Sequence, residues 1–440
     1  MAKPGFNRWL VPPAALCIHL CIGEAYAFSV FTKPMAQAIG ITAPTPGADW
    51  TVPELGWIFS LAILVLGLSA AFGGKWVERA GPRKAMFVAA LCFSSGLIVA
   101  GIGVNAHLLW LVYFGYGVVG GCGLGIGYIS PVSTLIKWFP DRPGLATGTA
   151  IMGFGGGAMI GAPLSVLLMK HFANASGTGV AQTMFVLAVL YFIWMVVGSL
   201  IVRIPQEGWK PAGYVAPLAS QAMITSKNVV LERALRTPQF YLLWLVLCLN
   251  VTAGIGVIGQ ASLMIQDIFG VTAVAAAGFV GLISLFNMGG RIFWASLSDF
   301  VGRKRTYAIF FIAGAVLYAF VPTLGHLHAV ALFVLSFLLI ISMYGGGFAT
   351  IPAYLRDLYG TVNVGAIHGA LLTAWSVAGI AGPVLINYIR EYEINHGVAK
   401  ADAYSVTMYV MAALLVVGLL CDLAVRPVDE RHYLEAQTVT

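Results

Sequence analysis

The sequence predicts an all-α membrane protein of twelve transmembrane helices in two pseudo-symmetric six-helix halves. Three observations predict it. Only 9% of the 440 residues are charged and 59% are hydrophobic, whereas a soluble domain carries about 25% charged residues. Apolar windows of about 20 residues, long enough to cross a bilayer as a helix, recur twelve times. The last six windows also repeat residues of the first six at a fixed offset.

The chain opens MAKPGFNRWLVPPAALCIHLCIG, basic residues followed by an apolar run. It lacks a convincing A-x-A cleavage site, so it reads as an uncleaved first span. The windows lie near 10–37, 53–77, 85–105, 109–137, 145–170, 181–203, 239–266, 273–298, 306–325, 328–356, 364–390 and 402–426. An even count puts both termini on one side. With the termini in the cytoplasm, 19 of the 24 Lys and Arg residues fall inside, from Lys3 and Arg8 to Arg426 and Arg431. Four, Lys33, Lys170, Arg390 and Lys400, fall outside, and Arg291 lies within a span. This bias orients the chain by the positive-inside rule, in a plasma (inner) membrane.

The longest inward loop, 204–238, is polar and contains Pro205, Pro211, Pro217 and Pro238. It separates an N-terminal half, 1–203, from a C-terminal half, 239–426, and 427–440 forms a cytoplasmic tail. At an offset of 221 residues, Glu78 answers Asp299, Gly81 answers Gly302, Pro131 answers Pro352 and Trp138 answers Tyr359. At the same offset Gly144 answers Gly365, Gly148 answers Gly369, Phe154 answers Trp375 and Gly161 answers Gly382. Two homologous halves around a central path are an arrangement that secondary transporters use.

Composition excludes several classes. The formal charge of +7 is spread among loops rather than gathered in a patch, so no nucleic acid is expected as a partner. The six cysteines lie in apolar stretches without a C-x-x-C. Cys17 and Cys21 share a helix face while His19 points about 200° away, so the three do not close on a metal. No cofactor or metal is expected, and the chain shows no catalytic triad, H-E-x-x-H or paired catalytic carboxylates, so it reads as no enzyme. The glycine runs 120–127, 153–163 and 344–352 have no preceding strand and no following G-K-[ST]; they read as close helix packing.

Two loop motifs carry chemistry. GGKWVERAGPRK (73–84) and ASLSDFVGRKR (295–305) each hold an acid, a glycine three residues on, and basic residues. The glycine allows a tight turn. The acids Glu78 and Asp299 sit where each can meet a base or a helix N-terminus. With Arg79, Gly81, Arg83 and Lys84 in one loop and Gly302, Arg303 and Lys304 in the other, they form a candidate conformational latch.

Arg291, in GLISLFNMGGRIFWASLSD (281–299), is the most informative residue. A cation at membrane depth costs between about 3 and 17 kcal/mol, so something anionic is expected to meet it. The cluster Asp299 to Arg305 begins eight residues later, about 12 Å along a helix, which favours a carboxylate site over the other reading, an arginine near a helix end that reaches the headgroups. Asn287, one turn earlier on the same side, can orient the guanidinium or bond a ligand.

The twelve spans and paired loops resemble the major facilitator superfamily. TLIKWFPDRPGLATG (134–148), LRTPQFYLLW (235–244) and FNMGGRIFWASLSDFVGR (286–303) resemble its oxalate/formate antiporter branch, related to the monocarboxylate transporters. The resemblance implies that Arg291 is the carboxylate-binding arginine of span 8. It also implies that Tyr26, Tyr128, Tyr344 and Phe348 line a substrate cavity. Oxalate-type members are expected to carry a lysine in span 11 where this chain has Trp375. A dianion moved into a low-dielectric site needs about two compensating charges. One guanidinium fork suits one carboxylate, so a monocarboxylate such as lactate, pyruvate or formate is favoured over oxalate:formate exchange. A protonated histidine would supply a second charge.

Helix periodicity sorts the remaining polar residues. His19 shares a face with Tyr26, and His368 with Trp375. Glu24 points about 200° from Tyr26 and is either a proton carrier or a carboxylate satisfied by a neighbouring helix. His19 and His368 are likewise candidate proton sites or plain hydrogen-bonding residues. Asn250 and Gln260 face either the path or a neighbouring helix. The expected partners are a small carboxylate, a proton or counter-anion, and the bilayer, and the protein is expected to act as a monomer. A non-transporting membrane sensor is the reading of another class.

Overall fold

The computed structural model describes residues 2, 5–41, 43–175, 177–206, 208–211, 213–214, 223–225 and 227–434. Lys3, parts of the 204–238 linker and the end of the 427–440 tail lie outside these described residues. Among them, twelve helices are long and apolar enough to cross a membrane. Spans 1 to 6 are Arg8–Ala27, Glu54–Ala80, Pro82–Asn105, Leu109–Trp138, Pro143–Phe172 and Val180–Ile201. Spans 7 to 12 are Pro238–Ile258, Gly278–Val301, Arg303–His326, Val330–Tyr359, Val364–Asn395 and Ser405–Ala424. The fold class read from the sequence therefore holds.

Contacts group the chain into two compact units. The first comprises Met1–Trp138, Ala150–Trp209 and His368–Ser376; the second comprises Phe139–Thr149, Lys210–Ile367 and Val377–Thr440. In the first unit small residues bring helices to backbone distance. A side chain at Gly23 would meet the Phe154 carbonyl at 2.5 Å, and one at Gly123 would meet the Phe93 amide at 2.5 Å. In the second, side chains at Gly290 and Gly345 would strike the backbones of Ser342 and Asn287, so spans 8 and 10 cross at close range. This is how helices associate where lipid removes the hydrophobic drive between them. Outward faces are apolar: Phe72 is 84% exposed and Phe300 83%, positions that acyl chains cover in a bilayer.

Three spans depart from regular α-helix where the first unit holds its polar residues. Gly23–Ala27 in span 1 is a 3₁₀ turn, and Tyr113–Gly120 in span 4 is π-helical. Span 11 breaks at Leu372, between Val364–Leu371 and Thr373–Asn395. Such irregularities recur at functional sites.

The repeat is visible in the backbone. Gly81 (φ 78°, ψ 162°) and Gly302 (φ 94°, ψ 147°) both end a helix in a region open only to glycine. His107 (φ 53°) and His328 (φ 51°), also 221 residues apart, are both left-handed non-glycine residues, a matched pair that the sequence comparison missed. His107 stacks on Trp50 (4.4 Å) and its Nε2 lies 2.7 Å from the Ala48 carbonyl. It braces the loop in which Asp49 accepts N–H bonds from Ile39, Gly40 and Thr45. Desolvation works against ionised Asp49, but the three N–H donors hold its carboxyl below the usual range.

Candidate functional site

The second unit positions Arg291. It is fully buried; its Nε donates to Asn287 Oδ1 at 3.3 Å, and the guanidinium lies 5.5 Å from the Phe348 ring centroid. The i to i+4 helical spacing puts Asn287 and Arg291 on one side, as their places in the sequence require. Gly345 on span 10 leaves room for both, since a side chain there would approach the Arg291 Cγ at 3.2 Å. Tyr344 and Phe348, buried on the same span, pack edge to face at 5.3 Å. A planar guanidinium held from one edge and one face suits two-point recognition of a carboxylate.

The first unit gathers aromatic rings. Phe154 contacts Tyr26 (5.0 Å), Tyr128 (5.4 Å) and Trp375 (5.2 Å), and Tyr128 contacts Trp375 at 5.4 Å. Tyr26 also lies 6.4 Å from Trp375. Tyr128, Phe154 and Trp375 are fully buried and Tyr26 half-buried. Ser376 donates to the Leu64 carbonyl (3.0 Å), tying this stretch of span 11 to span 2. Phe154 was read from the sequence only as the repeat counterpart of Trp375. That correspondence was the available signal for its place in the cluster.

The candidate proton residues differ in their surroundings. Glu24, on the 3₁₀ turn, accepts from Tyr116 Oη at 3.2 Å through Oε2, and Tyr116 sits on the π-helical turn. A side chain at Gly161 would approach both Glu24 Cγ (3.1 Å) and Tyr191 Oη (3.4 Å), so two tyrosines flank this acid. His19 has both ring nitrogens against backbone carbonyls, Nδ1 2.7 Å from Ala150 and Nε2 3.2 Å from Tyr128. His368 is fully buried beside the Tyr128 ring (5.9 Å), and neither of its nitrogens has a hydrogen-bond partner among the described residues. The break at Leu372 does not separate His368 from Trp375, since both reach Tyr128.

The two loop motifs are built differently. Glu78 pairs with Lys137 at 2.6 Å, while Arg79, Arg83 and Lys84 are exposed. Asp299 accepts from the backbone N–H groups of Gly144 (2.9 Å) and Leu145 (3.0 Å) and pairs with Arg303 at 2.6 Å. Arg303 also reaches Asp357 at 3.1 Å, and Asp357 pairs with Arg356 at 3.0 Å. Lys304 donates to the carbonyls of Leu423 (2.8 Å) and Val425 (2.7 Å). Sequence reading missed Asp357 and Arg356 as members of this network. Asn250, nine-tenths buried or more, has no partner for Oδ1 among the described residues. Gln260 bonds Asn387 at 2.6 Å across helices. A cavity of about 200 Å³ in the second unit is lined by Met264, His326, His328, Asp402 and Tyr404, and Arg291 is not among its walls.

Comparison with known proteins agrees with this architecture. The chain is 27% identical to the oxalate:formate antiporter of Oxalobacter formigenes, over 86% of this chain and 83% of that one. It is 25% identical to human monocarboxylate transporter 11, over 87% and 77% of the two chains. The proton:xylose symporter XylE superimposes with a TM-score of 0.69 at 14% identity, over 94% of both chains. The profile of the Major Facilitator Superfamily matches residues 14–383. The chain is therefore a multi-pass membrane protein and a secondary transporter, not an enzyme, and it belongs to the major facilitator superfamily.

Proposed function

We propose that this transporter moves a small monocarboxylate of the lactate, pyruvate or formate class by alternating access, with Arg291 binding the carboxylate. The observation that carries this reading is a fully buried guanidinium in span 8, held by an amide oxygen and a ring face. A cation buried in this way is costly, and a bidentate carboxylate compensates it. Asn287 orients the fork, and Tyr344 and Phe348 exclude water beside it. In the first unit, Tyr26, Tyr128 and Trp375 shape and dehydrate the path. The relatives support the substrate class, since one exchanges oxalate for formate and another is a monocarboxylate transporter.

The chain divides functionally into halves at 1–203 and 239–426, joined by the 204–238 linker and ended by a tail from 427, with both termini cytoplasmic. The loops around Gly81 and Gly302 act as cytoplasmic latches. The charge bias of the loops supports this orientation. Oxalate:formate exchange is the second reading, favoured by the 27% identical relative. It is set back by Trp375, which stands where a second cation is expected.

Counterflow in proteoliposomes with labelled mono- and dicarboxylates tests both readings. Arg291→Ala removes one partner of a buried charge pair, a loss of about 2–5 kcal/mol, so the apparent affinity for monocarboxylate falls about thirtyfold or more. Undiminished uptake by this variant removes Arg291 from the site. Exchange restricted to dicarboxylates in the wild type replaces the monocarboxylate reading with the oxalate one.

A further inference from the structure

Span 10 ends at Tyr359, with Arg356 and Asp357 on its last turn. A helix leaves its last carbonyls without partners of its own, and here the second part of the 204–238 linker supplies them. Thr225 N–H donates to the Asp357 carbonyl at 2.8 Å, and Val229 N–H donates to the Tyr359 carbonyl at 2.9 Å. Two asparagines then clasp the linker to the turn that follows the helix. Asn228 Oδ1 accepts from the N–H groups of Thr361 (2.9 Å) and Val362 (3.3 Å). Asn363 Oδ1 accepts from Leu231 N–H at 3.3 Å. Gly360, at φ 79°, makes the turn, and a side chain there would strike Asn228 Oδ1 and the Lys227 carbonyl.

Asp357 is therefore held from both of its ends. The linker takes its carbonyl, while its carboxylate accepts from Arg303 Nε (3.1 Å) and Arg356 Nη1 (3.0 Å). Arg303 continues to Asp299, and Asp299 accepts from Gly144 and Leu145 at the start of span 5. An unbroken series of polar contacts thus runs from the linker, through one residue of span 10, to span 5. Every residue in it belongs to the second unit. The linker meets the network again at Tyr214, whose Oη accepts from Arg356 Nη2 at 3.4 Å. The tail backs the clasp from its other side: Leu434 N–H donates to the Asn228 carbonyl (2.8 Å), and Arg233 Nη1 donates to the Tyr433 carbonyl (2.7 Å). A tether that only joined two halves would need no contact with an ion-pair network.

We propose that Asn228 is a positioning residue of the transport cycle: through the clasp it shares with Asn363, the linker sets where Asp357 meets Arg303, and so how readily the loop at Gly302 unlatches. This rests on the latch reading of that loop given above. A latch must break and re-form its ion pairs in every cycle, and a capped helix end returns Asp357 to the same place each time. Loosening the clasp frees the last turn of span 10. The latched state then weakens relative to the released one, and the population shifts toward release. Asp357 is where linker and latch meet, so without its charge the linker has nothing to position.

Hydrogen exchange of the protein in nanodiscs, read by mass spectrometry, tests this. The Gly144 and Leu145 amides report the latch, because Asp299 protects them and the linker does not. Asn228→Ala is expected to speed their exchange about threefold or more, the worth of one hydrogen bond. Asn363→Ala, which removes the other half of the clasp, is expected to act in the same direction. Asn228→Asp keeps an acceptor for both N–H groups and is expected to match the wild type at Gly144 and Leu145; an effect equal to that of Asn228→Ala overturns the assignment to the clasp. Faster exchange confined to 227–231 and 360–363 marks a merely local role and overturns the proposal. In an Asp357→Asn background Asn228→Ala is expected to add nothing at Gly144 and Leu145, since members of one network are not additive; a full further increase overturns the route through Asp357. Arg303→Lys separates the two readings. If it alters neither these amides nor the rate of labelled counterflow, the latch reading falls and the positioning role with it. If it alters both while Asn228→Ala alters neither, the latch stands and only the role of Asn228 is lost.

Discussion

The loops after span 2 and after span 8 come from one motif, yet the structure builds them with very different electrostatics. Both end a helix in glycine at nearly the same backbone angles. Past the glycine they diverge by one residue. Arg303 follows Gly302, whereas Pro82 follows Gly81, and only afterwards do Arg83 and Lys84 answer Lys304 and Arg305. Proline at the first helical position costs no hydrogen bond but supplies no charge. Arg303 is 7% exposed and lies between two carboxylates, Asp299 and Asp357, which are themselves 9% and 6% exposed. The positions equivalent to Arg356 and Asp357 in the first half are Leu135 and Ile136. One loop is thus a desolvated network with a backbone-capped acid. In the other, Glu78 forms an ion pair with Lys137, whose side chain is 26% exposed. Sequence similarity located the motif in both halves, but a single position set how deeply charge is buried there.

The largest effect that separates them should come from Arg303→Ala. It leaves Asp299 and Asp357 buried without their shared cation, and breaking a buried pair by removing one partner costs about 3–5 kcal/mol. Purified in detergent, this variant should show the deepest fall in apparent melting temperature of any single substitution in either loop. A fall no deeper than that of Lys137→Ala would mean that the network is no stronger than the partly exposed pair. Arg303→Lys should recover only part of the loss, because an ammonium cannot present Nε and Nη to two acids in fixed geometry.

Substitution of the glycines should abolish the difference between the loops. A side chain at Gly81 or Gly302 meets no atom within 4 Å, so any penalty is purely conformational. Both φ values lie in a region that side-chain-bearing residues avoid, at a cost of about 1–3 kcal/mol each. Gly81→Ala and Gly302→Ala should therefore lower the melting temperature by similar amounts. A Gly302 effect several times that of Gly81 would show that the charge network, rather than the backbone, dictates the turn.

What the sequence made legible follows from what lipid demands. Twelve spans were readable because a bilayer requires long apolar helices with satisfied backbones. Arg291 was readable because a charge stands out in such a run. Hydropathy is blind to hydrogen-bond register, so the 3₁₀ turn at Gly23–Ala27, the π-helical turn at Tyr113–Gly120 and the break at Leu372 left no trace in it. Periodicity put His19 on the face of Tyr26, but it gives a face and not a partner. The two carbonyls that meet its nitrogens lie 109 and 131 residues away. The same distance hid the contact of Asp299 with Gly144 and Leu145, 155 and 154 residues earlier in the chain. Phe154 was inconspicuous because a phenylalanine in an apolar helix is ordinary until its neighbours are known.

The smallest effect should come from the Glu78–Lys137 pair, and its salt dependence sharpens the comparison most. A partly exposed pair typically contributes about 0.2–1 kcal/mol, since solvent screens it and ordering two long side chains costs entropy. Glu78→Gln should accordingly shift the melting temperature only slightly at low ionic strength. The shift should vanish as salt shortens the Debye length from about 10 Å at 0.1 M to about 3 Å at 1 M. Arg303→Ala should keep nearly its full effect across the same range, because ions do not penetrate to carboxylates that are less than one-tenth exposed. If both effects faded together, the Asp299 network would be accessible to solvent ions, and burial would not be what distinguishes the two loops. If neither faded, Glu78 would be held more tightly than the exposure of Lys137 implies, and the first loop would match the second in strength as well as in sequence.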